Sequence, residues 1–199
     1  MRGLAAALAL LFLSGCVDLG KEFAERRFYS LDVTRSGAPG AVPKGTVLEV
    51  RRFRISRRYE AQELVYRKGD QVYETDFYHA FFVPPATNLT EETREWMARS
   101  GRFEHVVEAG SRVGGTHVLE GSVSELCGDF RGEGAGRAVL ELQFFLILDA
   151  EAVPKILFKK TYRREPELRE RTAAALVAGW QKGLGEILAE FEGDLTGVK

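Results

Sequence analysis

The residues of this sequence that could act as nucleophiles or metal ligands are few and scattered. There are three histidines, His79, His105 and His117, and two cysteines, Cys16 and Cys127. None belongs to an H-E-x-x-H pattern or to a cysteine pair with zinc-site spacing. A cysteine nucleophile needs a histidine beside it in space, and only the fold could supply one for Cys127. The pattern favours a buried, small apolar role for Cys127, and no metal site is predicted.

Two further short patterns resemble known motifs without their spacing. Ser111 lacks the G-x-S-x-G arrangement of a serine hydrolase. Gly132, Gly134 and Gly136 lead into segment 138–149, whose apolar alternation predicts a strand. A phosphate-binding loop instead leads into a helix, because the helix N-terminus faces the anion. These glycines therefore predict a flexible hairpin connection.

The N-terminus carries the clearest signal. Arg2 precedes an uncharged apolar run at 4–13, which has the length of a secretory signal and is too short for a membrane span. The run ends in Leu13-Ser14-Gly15-Cys16, which resembles the bacterial lipobox. That resemblance implies cleavage before Cys16 and acylation of its sulfur and new amino group. The alternatives are an ordinary signal peptide with a chance cysteine, or a buried N-terminal helix.

The lipobox divides the chain and predicts its location. We expect a signal peptide at 1–15, a lipidated tether at 16–27 and one folded domain at 28–199. In lipoprotein sorting, Asp directly after the cysteine favours the inner membrane, whereas Val17 stands here. We therefore predict a lipid-anchored protein at the periplasmic face of the outer membrane, since more than one acyl chain gives stable anchoring.

Charge and composition argue against a nucleic-acid-binding function and for a packed core. The 199 residues include 28 Lys+Arg and 29 Asp+Glu, a formal net charge of -1. Nucleic-acid binding needs a basic surface, so no nucleic-acid partner is expected. A hydrophobic content of 45% is enough for a packed core in a chain of this length.

Two surface features remain as candidate contacts. An arginine-rich stretch at 51–58 is either a solvated strand edge, neutralised by Glu49, Glu60 and Glu63, or a contact for lipid headgroups or an acidic partner. The aromatic residues at 66–82 are typical of a core or an interface and could also line a groove for acyl chains. The candidate partner or lipid contacts are Arg51, Arg52, Arg54, Tyr66, Arg67, Phe81 and Phe82.

Hydrophobic periodicity predicts one α/β domain with a mixed β-sheet and packed helices. Segment 68–71 indicates a hairpin turn. A first helix is predicted from near Asn88, with a capping box to Glu91 and Gly101 as its C-cap. The 3.6-residue period predicts a long helix at 171–195. Strands are predicted at 28–33, 47–53, 64–67, 72–75, 103–107, 117–126, 138–149 and 155–162.

Several short segments occur in a specific order behind the lipobox. They are Phe28-Tyr29-Ser30-Leu31, Val47-Leu48-Glu49-Val50, Leu64-Val65-Tyr66-Arg67, Ser100-Gly101-Arg102-Phe103 and Ala173-Ala174-Ala175-Leu176. Together they resemble the PqiC-like auxiliary lipoproteins of ABC-type transporters over nearly the whole predicted mature chain. One departure is Phe81-Phe82-Val83-Pro84, where that family usually has a tryptophan before the helix.

The resemblance implies a fold similar to the N-terminal domain of TolB and a non-enzymatic role. Its implied partners are a periplasmic MCE-domain protein, the ABC permease and ATPase of that system, outer-membrane lipid and, as one option, further copies in a ring. The implied process is phospholipid transport between the two membranes. It implies no catalytic residue and no cofactor beyond the covalent lipid on Cys16. A lipid-binding carrier and a periplasmic hydrolase using Cys127 or the histidines are the alternative functions.

Overall fold

The computed structural model describes residues 25–149 and 153–198. The predicted signal peptide, Cys16 and most of the predicted tether lie outside the described residues. A 3-10 turn at Arg57–Tyr59 accompanies nine strands and two helices in this part of the chain. In order they are β1 (Arg27–Tyr29), β2 (Val47–Val50), β3 (Arg54–Ile55), β4 (Glu63–Arg67), β5 (Tyr73–Phe81), α1 (Pro85–Ser100), β6 (His105–Glu108), β7 (His117–Asp129), β8 (Arg137–Leu148), β9 (Lys155–Arg164) and α2 (Ala173–Asp194).

The long strand β7 organises the sheet. One edge pairs antiparallel with β8, from His117 opposite Leu148 to Asp129 opposite Arg137. The other edge pairs in parallel with β2, β3 and β4 in succession. The sheet then extends through β6 beyond β2, through β5 and β1 beyond β4, and through β9 beyond β8. The predicted α/β domain with a mixed sheet and packed helices is therefore confirmed.

Helix α2 closes the core over β8 and β9. The ring of Trp180 is fully buried, stacks on Phe81 at 5.5 Å between centroids, and its Nε1 donates to the carbonyl of Val139 at 3.1 Å. Phe191 stacks on Phe144 at 4.4 Å. Burying one such side chain contributes about 1.5–3 kcal/mol. The long helix predicted from periodicity is thus confirmed, and it lies on the sheet.

The first helix, α1, begins before its predicted start. Pro84 is the N-cap residue and Pro85 occupies the first turn, where a missing N–H costs nothing. The predicted capping box is wrong, because Asn88 lies inside the helix and is only 3% exposed. Its side chain accepts from the N–H of Leu31 at 2.7 Å and donates to the carbonyl of Leu31 at 3.1 Å. Gly101 is the C-cap as predicted, with a φ of 71°.

The first predicted strand is shorter in the structure for the same reason. β1 ends at Tyr29, and the backbone of Leu31 binds Asn88 instead of a neighbouring strand. The predicted hairpin around 68–71 is confirmed as the β4–β5 pair, and β5 continues through the aromatic segment to Phe81.

We expect Gly121→Ala to destabilise the fold. A Cβ at Gly121 would lie 2.4 Å from Cδ1 of Phe53, a buried ring that packs on Phe144. Overpacking of this kind lowers the free energy of unfolding by about 1–3 kcal/mol, which urea denaturation measures. Gly185→Ala is the matched control, because its Cβ would meet open space inside α2 and should stabilise by up to about 1 kcal/mol. Equal effects of the two substitutions would contradict the packing argument.

Candidate functional site

A bulge interrupts the pairing of β5 with β4. Glu63 pairs with Ala80, but Val65 pairs with Thr75. Two positions along β4 therefore correspond to five positions along β5, so segment 76–79 has no regular pairing with β4. Bulges of this kind redirect side chains from one face of a sheet to another.

The carboxylate of Asp76 holds this bulge. Its Oδ1 accepts from the backbone N–H groups of Tyr78 at 2.9 Å and His79 at 3.1 Å. Its Oδ2 accepts from the hydroxyl of Tyr66 at 2.6 Å and lies 2.8 Å from Nδ1 of His79. Partial burial opposes ionisation of Asp76, but the hydrogen bonds from Tyr66, His79 and Tyr78 outweigh it and hold its pKa below the usual value. Asp76 therefore acts as a charged clamp on the backbone.

A groove lies between this bulge and the start of α2. It has a volume of about 550 Å³, and its walls include Tyr29, Tyr66 and Phe130. Nζ of Lys68 lies 5.4 Å from the ring centre of Phe130 and 5.7 Å from that of Tyr66. Arg27 adds a second cation to the lining, which also contains the carboxylates of Asp76 and Glu170. Aromatic walls with charged side chains of both signs suit a small ligand that combines apolar and polar parts.

Arg171 also lines the groove, but its guanidinium is used by the protein itself. Its Nη2 donates to the carbonyl of Gly132 at 2.5 Å, and its Nε donates to the carbonyl of Gly134. It thereby closes the loop between β7 and β8, which is the hairpin connection predicted from the glycines. Gly134 and Gly136 have φ values of 98° and 87° there, a conformation that favours glycine.

Four exposed rings and one arginine form what we call the aromatic patch, consisting of Arg26, Phe28, Phe77, Tyr78 and Phe82. Phe77 and Phe82 are 72% and 71% exposed, and Phe28 and Tyr78 are about half exposed. Phe28 contacts Phe82 edge to face at 6.3 Å, and Phe77 contacts Tyr78 at 5.3 Å. The guanidinium of Arg26 lies 5.4 Å from the ring centre of Phe28 and 6.0 Å from that of Phe77. The patch is thus continuous.

The aromatic residues predicted as contacts lie in different environments in the structure. Phe82 belongs to the aromatic patch, and Tyr66 is a half-buried wall of the groove. The prediction that Phe81 contacts a partner or lipid is wrong, because this ring is 2% exposed and stacks on Trp180. The side chain of Arg67 lies over Tyr73 and donates to the carbonyl of Asp70 at 3.3 Å, so it closes the β4–β5 turn.

The predicted arginine contacts also differ from one another. Arg51 pairs with Glu49 at 3.3 Å, as the sequence suggested, and with Glu120 at 2.8 Å. Arg52 and Arg54 are exposed and form no ion pair with any residue that the structure describes. Arg57 is also exposed without such an ion pair, and the exposed Arg58 lies over the ring of Tyr73 at 4.7 Å. Arg52, Arg54 and Arg57 are therefore available to an anionic partner.

The candidate nucleophile and histidines do not meet in one site. Cys127 is buried as predicted, and burial raises the pKa of its thiol to about 11, so the reactive thiolate is disfavoured. His79, His105 and His117 lie on β5, β6 and β7 respectively. Within 25–149 and 153–198, no group of three His, Cys, Asp or Glu side chains could hold a metal ion. Neither helix of that part has the length and apolar character needed to cross a membrane.

Comparison with known proteins identifies the fold. No family profile and no curated protein sequence matches the chain. Protein XCC0632 from Xanthomonas campestris, of the family DUF330, is similar in structure, with a TM-score of 0.74 and 16% identity over 84% of this chain and 93% of that one. A crystal structure of an uncharacterized protein has a TM-score of 0.67 and 14% identity over 86% of this chain and 99% of that one. The described domain therefore belongs to the class of single-domain α/β proteins with a curled mixed sheet and two helices.

A weaker likeness concerns an oligomeric protein. PelC from Paraburkholderia phytofirmans, a dodecamer in its crystal, has a TM-score of 0.45 and 14% identity over 78% of this chain and 95% of that one. A likeness at this level carries no inference about the assembly of this chain.

Sequence reasoning missed Arg26, Phe28 and Asp76 as parts of the site. The signal for Asp76 is that Asp side chains often accept from backbone N–H groups two or three residues later and so shape a turn. Here that turn would carry the two aromatic residues that follow Asp76. The sequence pattern predicts only that Phe28 lies in a strand, and its exposure depends on β1 lying at the edge of the sheet.

We expect Asp76→Asn to destabilise the bulge and to alter its response to acid. An amide cannot accept from all four partners, so the free energy of unfolding should fall by about 1–3 kcal/mol near neutral pH. The pKa of Asp76 is lowered by folding, so its stabilisation is complete above the usual carboxyl pKa and is lost as the pH falls through the lowered value. The difference between the wild type and Asp76→Asn should therefore shrink near pH 3.

Urea denaturation at both pH values tests this, with Asp70→Asn as the matched control. The side chain of Asp70 is 89% exposed and contacts only a surface arginine among the described residues, so its loss should cost little. A difference for Asp76→Asn that stays constant with pH would show that its charge does not hold the bulge.

Proposed function

We propose that this protein is a non-enzymatic auxiliary lipoprotein of an ABC/MCE-type transport system. Acylated Cys16 would hold it at the periplasmic face of the outer membrane, where the domain docks a periplasmic MCE-domain protein for phospholipid transport between the membranes. The observation that carries the proposal is the lipobox at 13–16, directly ahead of a domain with the ordered segments described above. The permease, the ATPase and a ring of identical subunits belong to the same proposal.

Anchoring supplies the mechanism in this proposal. Phe28 follows Cys16 by twelve positions, and an extended chain of that length reaches at most ~40 Å. The domain is then confined to a thin layer below the membrane. Confinement raises the effective concentration of its docking surface for a partner that spans the periplasm.

The use of the polar side chains supports a docking role over catalysis. Asp76 and His79 hold a backbone bulge, and Cys127 is buried with a raised pKa. Arg52 and Arg54 remain exposed beside the start of β3, where an acidic surface of a partner could bind them. A docking protein needs such a surface and does not need a reactive group.

The groove favours a second candidate function, that of a lipid-binding module. Its volume of about 550 Å³ lies in the range of small-molecule sites, and Arg27 and Lys68 in its lining could hold a phosphate group. Mass spectrometry of lipids and proteins that co-purify with the crosslinked lipoprotein separates the two functions. Phospholipid without an MCE-domain protein would favour the carrier.

We expect Cys16→Ala to abolish acylation, crosslinking to the MCE-domain partner and detergent resistance of the cells. Val17→Asp is an informative companion, since it should leave acylation intact but direct the protein to the inner membrane, with the same loss of resistance. Val17→Leu is the matched control and should behave as the wild type. An unacylated Cys16→Ala protein that still crosslinks to the partner in normally resistant cells would contradict the proposal.

We expect Arg52→Glu combined with Arg54→Glu to reduce recovery of the crosslinked MCE-domain partner at least several-fold, because charge reversal repels an acidic docking surface. Arg169→Glu is the matched control, since Arg169 is exposed in the β9–α2 connection at the Asp129 end of β7, whereas Arg54 pairs with Ser122 near the middle of that strand. Circular dichroism checks the fold of each variant. Unchanged recovery with the double variant would exclude these arginines from the dock.

A further inference from the structure

We propose that the aromatic patch inserts into the headgroup region of the membrane that holds acylated Cys16, and so fixes the orientation of the domain on that membrane. The proposal rests on the anchoring part of the proposed function and is independent of the MCE-domain partner. Its occupant is the lipid bilayer surface.

The exposed area of the patch is larger than isolated surface rings would give. From its fractional exposures and a full aromatic area of 150–250 Å² per ring, the four rings present roughly 500 Å² to solvent. Contiguous apolar patches of this size are at the upper end for soluble monomers and are often functional. The rings contact each other and Arg26, so they act as one surface.

The rings are held outward by ordered structure. Asp76 fixes the bulge that carries Phe77 and Tyr78. Phe28 lies in β1, which pairs with β5, and the N–H of Phe82 donates to the carbonyl of Tyr29 at 2.8 Å. The exposure of these side chains is therefore a fixed property of the framework.

The size and chemistry of the patch fit a bilayer better than a second copy of the chain. A stable protein interface buries about 800 Å² on each partner, which is more than the rings offer. Aromatic residues with a polar tip or a neighbouring cation are typical of the membrane interface, and Tyr78 and Arg26 supply both. Arg26 pairs with Glu63, but both side chains are more than a third exposed, so this ion pair is weak.

The position of the patch links it to the anchor. Arg26 is its first member and follows Cys16 by ten residues, a span of at most ~35 Å. The rings lie along β1 and the Phe81 end of β5, at the edge of the sheet beyond β4, and the β6–β7 connection lies toward the opposite edge, where β6 follows β2. The exposed apolar residue Val113 lies in this connection. A short tether therefore brings the β1 edge of the sheet to the bilayer first.

The test uses the full acylated protein in vesicles of phosphatidylethanolamine with a minority of phosphatidylglycerol. Phe77→Trp places a fluorescent ring in the patch while keeping it aromatic, and Val113→Trp is the matched control in the β6–β7 connection. Trp96 and Trp180 are buried and give the same background in both variants. Lipids with brominated acyl chains quench only an indole that reaches them, so quenching should be at least several-fold greater for Phe77→Trp.

Each outcome decides the proposal. Strong quenching at 77 that falls when Phe28→Ser and Phe82→Ser are added would support it. Equal quenching at 77 and 113 would overturn it, because the domain would then have no preferred face. An emission shift at 77 that depends on protein density and occurs without bromine quenching would also overturn it, since the patch would face a second copy. A protein that fails to enter vesicles because Cys16 carries no lipid would instead contradict the proposed function.

Discussion

The fold depends on one constraint, which is that strand β7 is paired along both edges. The ladder with β8 runs the length of β7 with one bulge after Val123 and leaves a single edge, which β2, β3 and β4 must share in succession. Between β2 and β3, Phe53 crosses this strand, which is why only glycine fits at position 121. Because β2, β3 and β4 are short, the sheet branches into separate arms along this edge of β7. Helix α2 covers the apolar face of the sheet, where Trp180 is buried.

The division of the sheet creates the surfaces on which the functional proposals depend. The β4–β5–β1 arm joins β7 through only two residue pairs, beginning with Tyr66 opposite Gly128, so both its faces can bear exposed or half-buried side chains. Tyr29 and Tyr66 line the groove on one face, while Phe28 and Phe82 lie in the aromatic patch. Asp76 serves both, because the same carboxylate binds a groove hydroxyl and fixes the exposed bulge.

The parts of this structure that the sequence predicts are those with long regular patterns. Helix α2 repeats its apolar period over six turns, and the alternation of β7 and β8 extends over twelve residues or more. The role of Asn88 could not be predicted, since its partner Leu31 lies 57 residues away in sequence. Phe81 and Phe82 are adjacent and chemically identical, and the bulge together with the edge position of β1 decides which is buried. Such facts depend on three-dimensional pairing and leave no local pattern.

The segment after β1 determines how the proposed anchor would act on the domain. The N–H of Leu31 binds Asn88 and the N–H of Val33 binds Glu92, both on α1. Arg35 then donates two hydrogen bonds of 2.8 Å to Glu192 of α2, with its own side chain 8% exposed. Such a bidentate, largely buried pair is stronger than a surface ion pair, and its hydrogen bonds hold the pKa of Glu192 below the usual value. Within ten residues of its first described strand, the chain is thus fastened to both helices. A lipid at Cys16 would therefore position the domain as one unit, and insertion of the aromatic patch would restrict its rotation about the tether.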